Sequence, residues 1–278
     1  MKNPGVGTRL AGQWLLQVWF VVSVLAGLAG CAANSGAAGA SGAGTDIVTE
    51  SDEPAVRKRA QIRLELAVNY FNQGQTTVAL DELKQAIVAD PSFADAYNLR
   101  GLIYMRLDDQ RLAEESFRRA MVLNPRDAGI LHNYGWMLCQ QARYPEADQA
   151  FKQALASPVY GGKAKTLMTQ GLCQARAGHK AEAESSLSHS YELDAGNPIT
   201  GYNLANLLFQ RNELTRAQFY IRRLNNSELA NAESLWLGVK VERRMNNREA
   251  MLQLVDQLKR RFPESRELVA YERGAFDE

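Results

Sequence analysis

The feature that most constrains this chain is a period of about 34 residues that runs through most of its length. When Ala67, Gly101, Gly135, Gly171, Ala205 and Gly238 are aligned, the spacings are 34, 34, 36, 34 and 33 residues. Twelve residues after each stands an alanine: Ala79, Ala113, Ala147, Ala183, Ala217 and Ala250. Four further on comes a large apolar residue: Leu83, Phe117, Phe151, Leu187, Ile221 and Leu254. Pro91 and Pro125 close the first two units at one phase, and Pro158, Pro198 and Pro263 fall within a few residues of the equivalent place. A repeat of this length is one supersecondary unit that cannot bury its apolar face alone and must stack on its neighbours. Small residues twelve apart let two antiparallel helices cross closely, and proline stops the second helix because it cannot continue the hydrogen-bond ladder. The length of 278 residues therefore reads as one extended array rather than two globules.

These residues resemble the tetratricopeptide pattern. The resemblance implies an all-α protein: a right-handed solenoid of about six tetratricopeptide (TPR) helix pairs plus a C-terminal capping helix. Repeats are expected near Ala60–Phe93, Ala94–Asp127, Ala128–Gly161, Ala164–Asn197, Pro198–Ala230 and Asn231–Glu264, within a solenoid spanning 59–277. Residues 265–274 read as the cap that an array needs over its last apolar face. Gly161 and Gly162 add two residues at the third boundary, where the stacking is expected to loosen or change angle.

The residues ahead of the array read as an address and a tether. Lys2 and Arg9 form a charged start, and an apolar stretch runs from Trp14 to Leu28. It is shorter than the roughly 20 residues of a spanning helix, and it ends in Leu28-Ala29-Gly30-Cys31. That quartet resembles the bacterial lipobox, which implies removal of residues 1–30 as a signal peptide and lipid attachment at Cys31. Alanine rather than aspartate at position 32 implies, by resemblance to lipoprotein sorting, delivery to the outer membrane. Residues 31–58, rich in Gly, Ala and Ser over most of their length, read as a flexible tether.

Composition excludes other classes. With 46% hydrophobic and 23% charged residues the chain is not mostly disordered. A net charge of +1 leaves no basic footprint for nucleic acid. His132, His179 and His189 lack metal-ligand spacing with each other or with cysteine, and no phosphate loop, GxSxG elbow or HExxH motif occurs. No enzyme activity, metal, small-molecule substrate or cofactor is therefore expected, the lipid on Cys31 apart. Glu114-Glu115 beside Arg118-Arg119 read as i,i+4 partners on a solvated helix face, and Arg243-Arg244 with Arg260-Arg261 as a modest basic surface. Cys139 and Cys173 lie on the first helices of adjacent repeats, and the compartment that the lipobox resemblance implies is oxidising. Their repeat phases differ by two places, so two buried thiols are expected in preference to a disulfide.

What such an array offers is a binding face. The first helix of each pair lines the inner face of TPR arrays, at the second, fifth, ninth and twelfth places. The last three of these are Leu64, Val68 and Phe71 in repeat 1, and Asn98, Leu102 and Met105 in repeat 2. Repeat 3 supplies His132, Trp136 and Cys139, and Asn206 of repeat 5 is placed to hold partner backbone groups. An apolar groove flanked by Asn98 and His132 suits an extended or helical apolar segment of a partner. Chaperone adaptors of this class hold a C-terminal carboxylate with Lys and Asn, but Leu64 and Val68 occupy those places in repeat 1 and Gly129 does so in repeat 3. That ligand is disfavoured here.

Longer stretches are more specific than the bare pattern. AQIRLELAVNYFNQGQTTVALDELKQAI, ADAYNLRGLIYMRL, LHNYGWMLCQQARYPEADQAF and FYIRRLNNSELA with SLWLGVKVERR resemble the type IV pilus biogenesis and stability lipoproteins of the PilW/PilF type, from about Ala60 to the C-terminus. The resemblance implies a non-catalytic pilotin, lipid-anchored at the periplasmic face of the outer membrane. Its partner would be the pilus secretin, held by the groove of repeats 1–3, with its localisation and multimerisation promoted in consequence. A periplasmic TPR scaffold lipoprotein for another cell-envelope machine is the alternative.

Overall fold

The computed structural model describes residues 54–276, so Cys31, the signal peptide and most of the tether lie outside the described residues. Among these residues all regular structure is helical, in six pairs and a cap. The pairs are α1 (Ala55–Asn72) with α2 (Thr76–Ala89), α3 (Ala94–Arg106) with α4 (Gln110–Leu123), and α5 (Ala128–Gln140) with α6 (Tyr144–Leu155). They continue with α7 (Lys163–Arg176) and α8 (Lys180–Leu193), α9 (Pro198–Gln210) and α10 (Leu214–Asn225), and α11 (Ala232–Arg244) and α12 (Arg248–Arg261), closed by α13 (Arg266–Glu272). Each pair packs on itself and on its immediate neighbours, which makes a TPR solenoid.

The period is written into the backbone. One residue in the turn of each pair adopts the left-handed conformation: Gly74, Asp108, Ala142, Gly178, Asn212 and Asn246. They recur every 34 residues, save for the step of 36 across the Gly161-Gly162 insertion. Side chains of Asp109, Asp127, Asn197, Asn231, Asn247 and Ser265 accept from the first turns of α4, α5, α9, α11, α12 and α13, satisfying donors that have no partner within the helix.

The crossing points explain the small residues. Ala67, Ala79 and Leu83 are fully buried, as are Ala113 with Phe117, Ala147 with Phe151, and Ala205 with Ala217 and Ile221. A Cβ on Gly101 would stand 2.8 Å from the Phe117 ring, and one on Gly135 would stand 2.8 Å from Phe151. Only hydrogen fits there.

Repeat 6 differs from the alignment on Gly238, Ala250 and Leu254. The structure puts Val239, at 0% exposure, and Val255, at 3%, in the core of the last pair, with Met251 packed against them. Ala250 and Leu254 stay half-buried. The turn at Asn246 and the start of α11 at Ala232 keep the period of 34, so the equivalent of Ala205 is Val239. Gly238 is small for another reason: a Cβ there would stand 2.6 Å from Nδ2 of Asn225 on α10.

Two further expectations are corrected. First, α1 begins at Ala55, so residues 55–58, which the sequence reading gave to the tether, are helical. This stretch follows Pro54 and contains no glycine. It is held by Arg57, which pairs with Asp90 at 2.5 Å and lies over the Phe93 ring. Second, Cys139 and Cys173 form a disulfide, with Cα atoms 5.8 Å apart. The difference in repeat phase is what places them together. Side-by-side helices meet through opposite flanks, and two residues along a helix amount to about 200° of rotation.

Candidate functional site

The first helices of repeats 1–3 carry the expected groove residues, and the structure separates them into two groups. Residues at the fifth place turn toward the next repeat. Leu64 packs half-buried against the core shared by repeats 1 and 2. Asn98 accepts a hydrogen bond of 3.0 Å from Nδ2 of Asn133 on α5. His132 is only 5% exposed, so it does not flank a groove. Its Nδ1 lies 2.9 Å from Oγ1 of Thr166 on α7, which in turn bonds the Tyr160 hydroxyl at 3.0 Å. Burial, with the Lys165 charge as a smaller contribution, pushes the His132 pKa down to about 4. The imidazole is a neutral structural group in the joint between repeats 3 and 4.

Residues at the ninth and twelfth places form the surface. Val68 is 38% exposed. Phe71, Leu102, Met105 and Trp136 are half-buried, resting on the core beneath while presenting an apolar side. Cys139, at the twelfth place of repeat 3, is withdrawn into the disulfide.

Sequence reasoning missed the cations that cover this surface. The Arg106 guanidinium lies 4.0 Å from the Phe71 ring and donates to the Phe71 carbonyl at 2.8 Å. Arg176 lies 5.4 Å from the Trp136 ring and donates to Oε1 of Gln140. Both occupy the thirteenth place of their repeats, one residue beyond the last groove place, and that recurrence is the signal the sequence carries. Also missed were Ile62 and Leu66, one turn apart on α1 and in contact with solvent because no helix among the described residues covers them.

A cavity of about 670 Å³ lies elsewhere, between α6, α7 and α8. Partial burial raises the pKa of Asp148 in its wall, yet hydrogen bonds from Lys152, Gln170 and Gln174 hold it below the usual carboxylate range. That is a structural anion rather than a general base. Among the described residues no group of three His, Cys, Asp or Glu side chains could hold a metal, and no helix is long and apolar enough to cross a membrane. The arrangement presents side chains for contact.

Comparison with known proteins agrees with the geometry. The TPR repeat family matches residues 69–108, and the tetratricopeptide repeat family matches 94–127 and 128–157. The chain is 29% identical over 204 residues to the type IV pilus assembly protein PilF of Pseudomonas aeruginosa, covering 73% of this chain and 81% of that one. The solved structure of Pseudomonas aeruginosa PilF superposes with a TM-score of 0.72 at 27% identity, covering 80% of this chain and all of that one. The crystal structure of PilW, described as a widely conserved type IV pilus biogenesis factor, superposes with a TM-score of 0.70 at 30% identity, covering 76% of this chain and 97% of that one.

Proposed function

Because the chain belongs to the tetratricopeptide-repeat family of PilF and PilW, we propose that it is a non-catalytic pilotin of type IV pilus biogenesis. In this reading it is an outer-membrane lipoprotein anchored through Cys31, and it binds the pilus secretin and promotes its localisation and multimerisation. The likeness to PilF over 73% of the chain carries the reading.

The mechanism is one of cover and release. An unassembled secretin subunit exposes strand edges and apolar segments, which pair wrongly before the ring closes. Val68, Phe71, Leu102, Met105 and Trp136 offer an apolar strip for such a segment, and Arg106 and Arg176 frame it with donors. The lipid anchor carries the pair to the outer membrane, and subunit pairing displaces the solenoid.

The test is SDS-resistant secretin multimer in outer-membrane fractions of cells lacking the gene, complemented with wild type, Cys31→Ala, or Val68→Asp with Trp136→Ala. Multimer is expected with wild type and is expected to be lost or mislocalised with the variants. Normal multimer in every strain, including the deletion, would assign the protein to another cell-envelope machine.

A further inference from the structure

The groove places change chemistry along the array. At the ninth and twelfth places, repeats 1 and 2 carry Val68, Phe71, Leu102 and Met105, whereas repeat 6 carries Lys240 and Arg243. Arg244 follows at the thirteenth place, 4.8 Å from the Phe209 ring, which repeats the relation of Arg106 to Phe71. Arg243 lies 3.7 Å from the ring of Phe276, a residue folded back beyond α13 onto Trp236. With Lys180 from the start of α8, these groups line a pocket of about 570 Å³. Among the described residues the lining brings together Lys180, Arg243 and Arg244 and no carboxylate, in a chain whose net charge is only +1.

We propose that this pocket, beyond the groove assigned above, is a docking site for an extended acidic peptide segment of a partner protein. Arg243, Arg244 and Lys180 take its carboxylates, and Phe209 and Phe276 take an apolar side chain between them. Charge complementarity selects the occupant. Like charges crowded in a concave site repel unless an anion joins them. Among the described residues neither Arg243 nor Arg244 is in an ion pair, whereas Arg222 nearby is held by Glu242 at 2.7 Å. Arginines steadied by aromatic rings present planar forks that grip carboxylates in a bidentate way. The apolar rings beside them favour a peptide, with its mixture of side chains, over a lipid head group, which brings charge alone.

The full chain in detergent is titrated by fluorescence anisotropy with a labelled, end-blocked peptide, Gly-Asp-Glu-Phe-Asp-Glu-Gly, and with its Asn/Gln counterpart. The acidic peptide is expected to bind and weaken with salt, and the amide version to bind at least about tenfold more weakly. Arg243→Gln with Arg244→Gln lowers affinity by about the same factor, Phe209→Ala lowers it less, and Arg118→Gln with Arg260→Gln, two exposed arginines on other helix faces, leaves it unchanged. Circular dichroism checks that each variant is folded. Equal binding of the two peptides, or undiminished binding by the Arg243/Arg244 variant, overturns the proposal. Binding of soluble short-chain phosphatidylglycerol but not of the peptide assigns the pocket to a lipid surface instead. Peptide binding that appears only after removal of residues 277 and 278 assigns it to the chain's own acidic end.

Discussion

The joint between repeats 2 and 3 and the joint between repeats 3 and 4 connect the same kind of helix pair by different means. At the first, a four-residue link separates α4 from α5. The contact is mainly apolar, with Tyr97, Ala120 and Ile130 buried together and Phe117 against Tyr134, and its polar bonds are the Asn98–Asn133 hydrogen bond and the partly exposed Arg143–Glu114 pair at 3.0 Å. At the second, the link between α6 and α7 is seven residues and the period slips by two. There the contact includes the Cys139–Cys173 disulfide, the His132–Thr166–Tyr160 chain, and bonds from Gln170 and Gln174 to Asp148 at 2.8 and 2.9 Å. Apolar burial is nearly indifferent to register because it scales with area. Hydrogen bonds and disulfides need particular atoms opposite one another. A joint whose period slips is thus fixed in one register by bonds that tolerate no other.

The largest expected effect falls on what the joints share. Phe117→Ala and Phe151→Ala each remove a fully buried ring from a helix crossing and are expected to cost about 3–5 kcal/mol. Urea unfolding measures both, and a much smaller loss at Phe151 would mean the bonded joint does not rely on its core. Replacing Cys139 and Cys173 by alanine opens a loop of 34 residues, worth about 3–4 kcal/mol in the chain-entropy account. Amide exchange should quicken in α7 and α8 far more than in α3 and α4. Uniform acceleration would remove the distinction between the joints.

Mild acid should act on the bonded joint through His132. His132 titrates near 4 in the fold against an ordinary 6.5. Between those values the unfolded chain takes up a proton that the folded one refuses. Its contribution is therefore complete above pH 6.5 and falls away toward pH 4, by at most about 3 kcal/mol. His132→Phe should flatten that slope in denaturation measured at several pH values, and an unchanged slope would place its origin elsewhere. The smallest effect belongs to the apolar joint. Asn133→Ala should cost about 1 kcal/mol and leave the exchange rates of α7 untouched.

The helix pairs, their order and their number follow from the sequence through spacing alone. Alanines and glycines twelve apart, with a large residue four further on, satisfy the close crossing of Ala67 with Ala79 or Gly101 with Ala113 only if two helices pack there, and 34 residues is one such unit. The start of α1 was less legible, because helix formers after Pro54 read as a tether until Arg57 is seen to reach Asp90. Repeat 6 misled because Gly238 imitates a crossing residue while serving the Asn225 contact. The binding face was legible by place and not by direction. His132 and Trp136 are four residues apart on one helix, yet the first is sealed in a joint and the second faces outward under Arg176. Rotation about the helix axis decides this, and it depends on how the next repeat sits.

Sequence by itself therefore determined what repeats within the chain: the unit, its turn, its small residues and the change from apolar to basic side chains along the first helices. Tertiary structure alone decided what passes between repeats: which cysteines meet, which histidine loses its water, and which arginines from one pair come to lie over the aromatic rings of another. The physical reason is range. Periodicity records contacts within a helix pair, about sixteen residues apart at most crossings, whereas neighbouring pairs meet through opposite flanks, whose pairing is set by the angle of stacking.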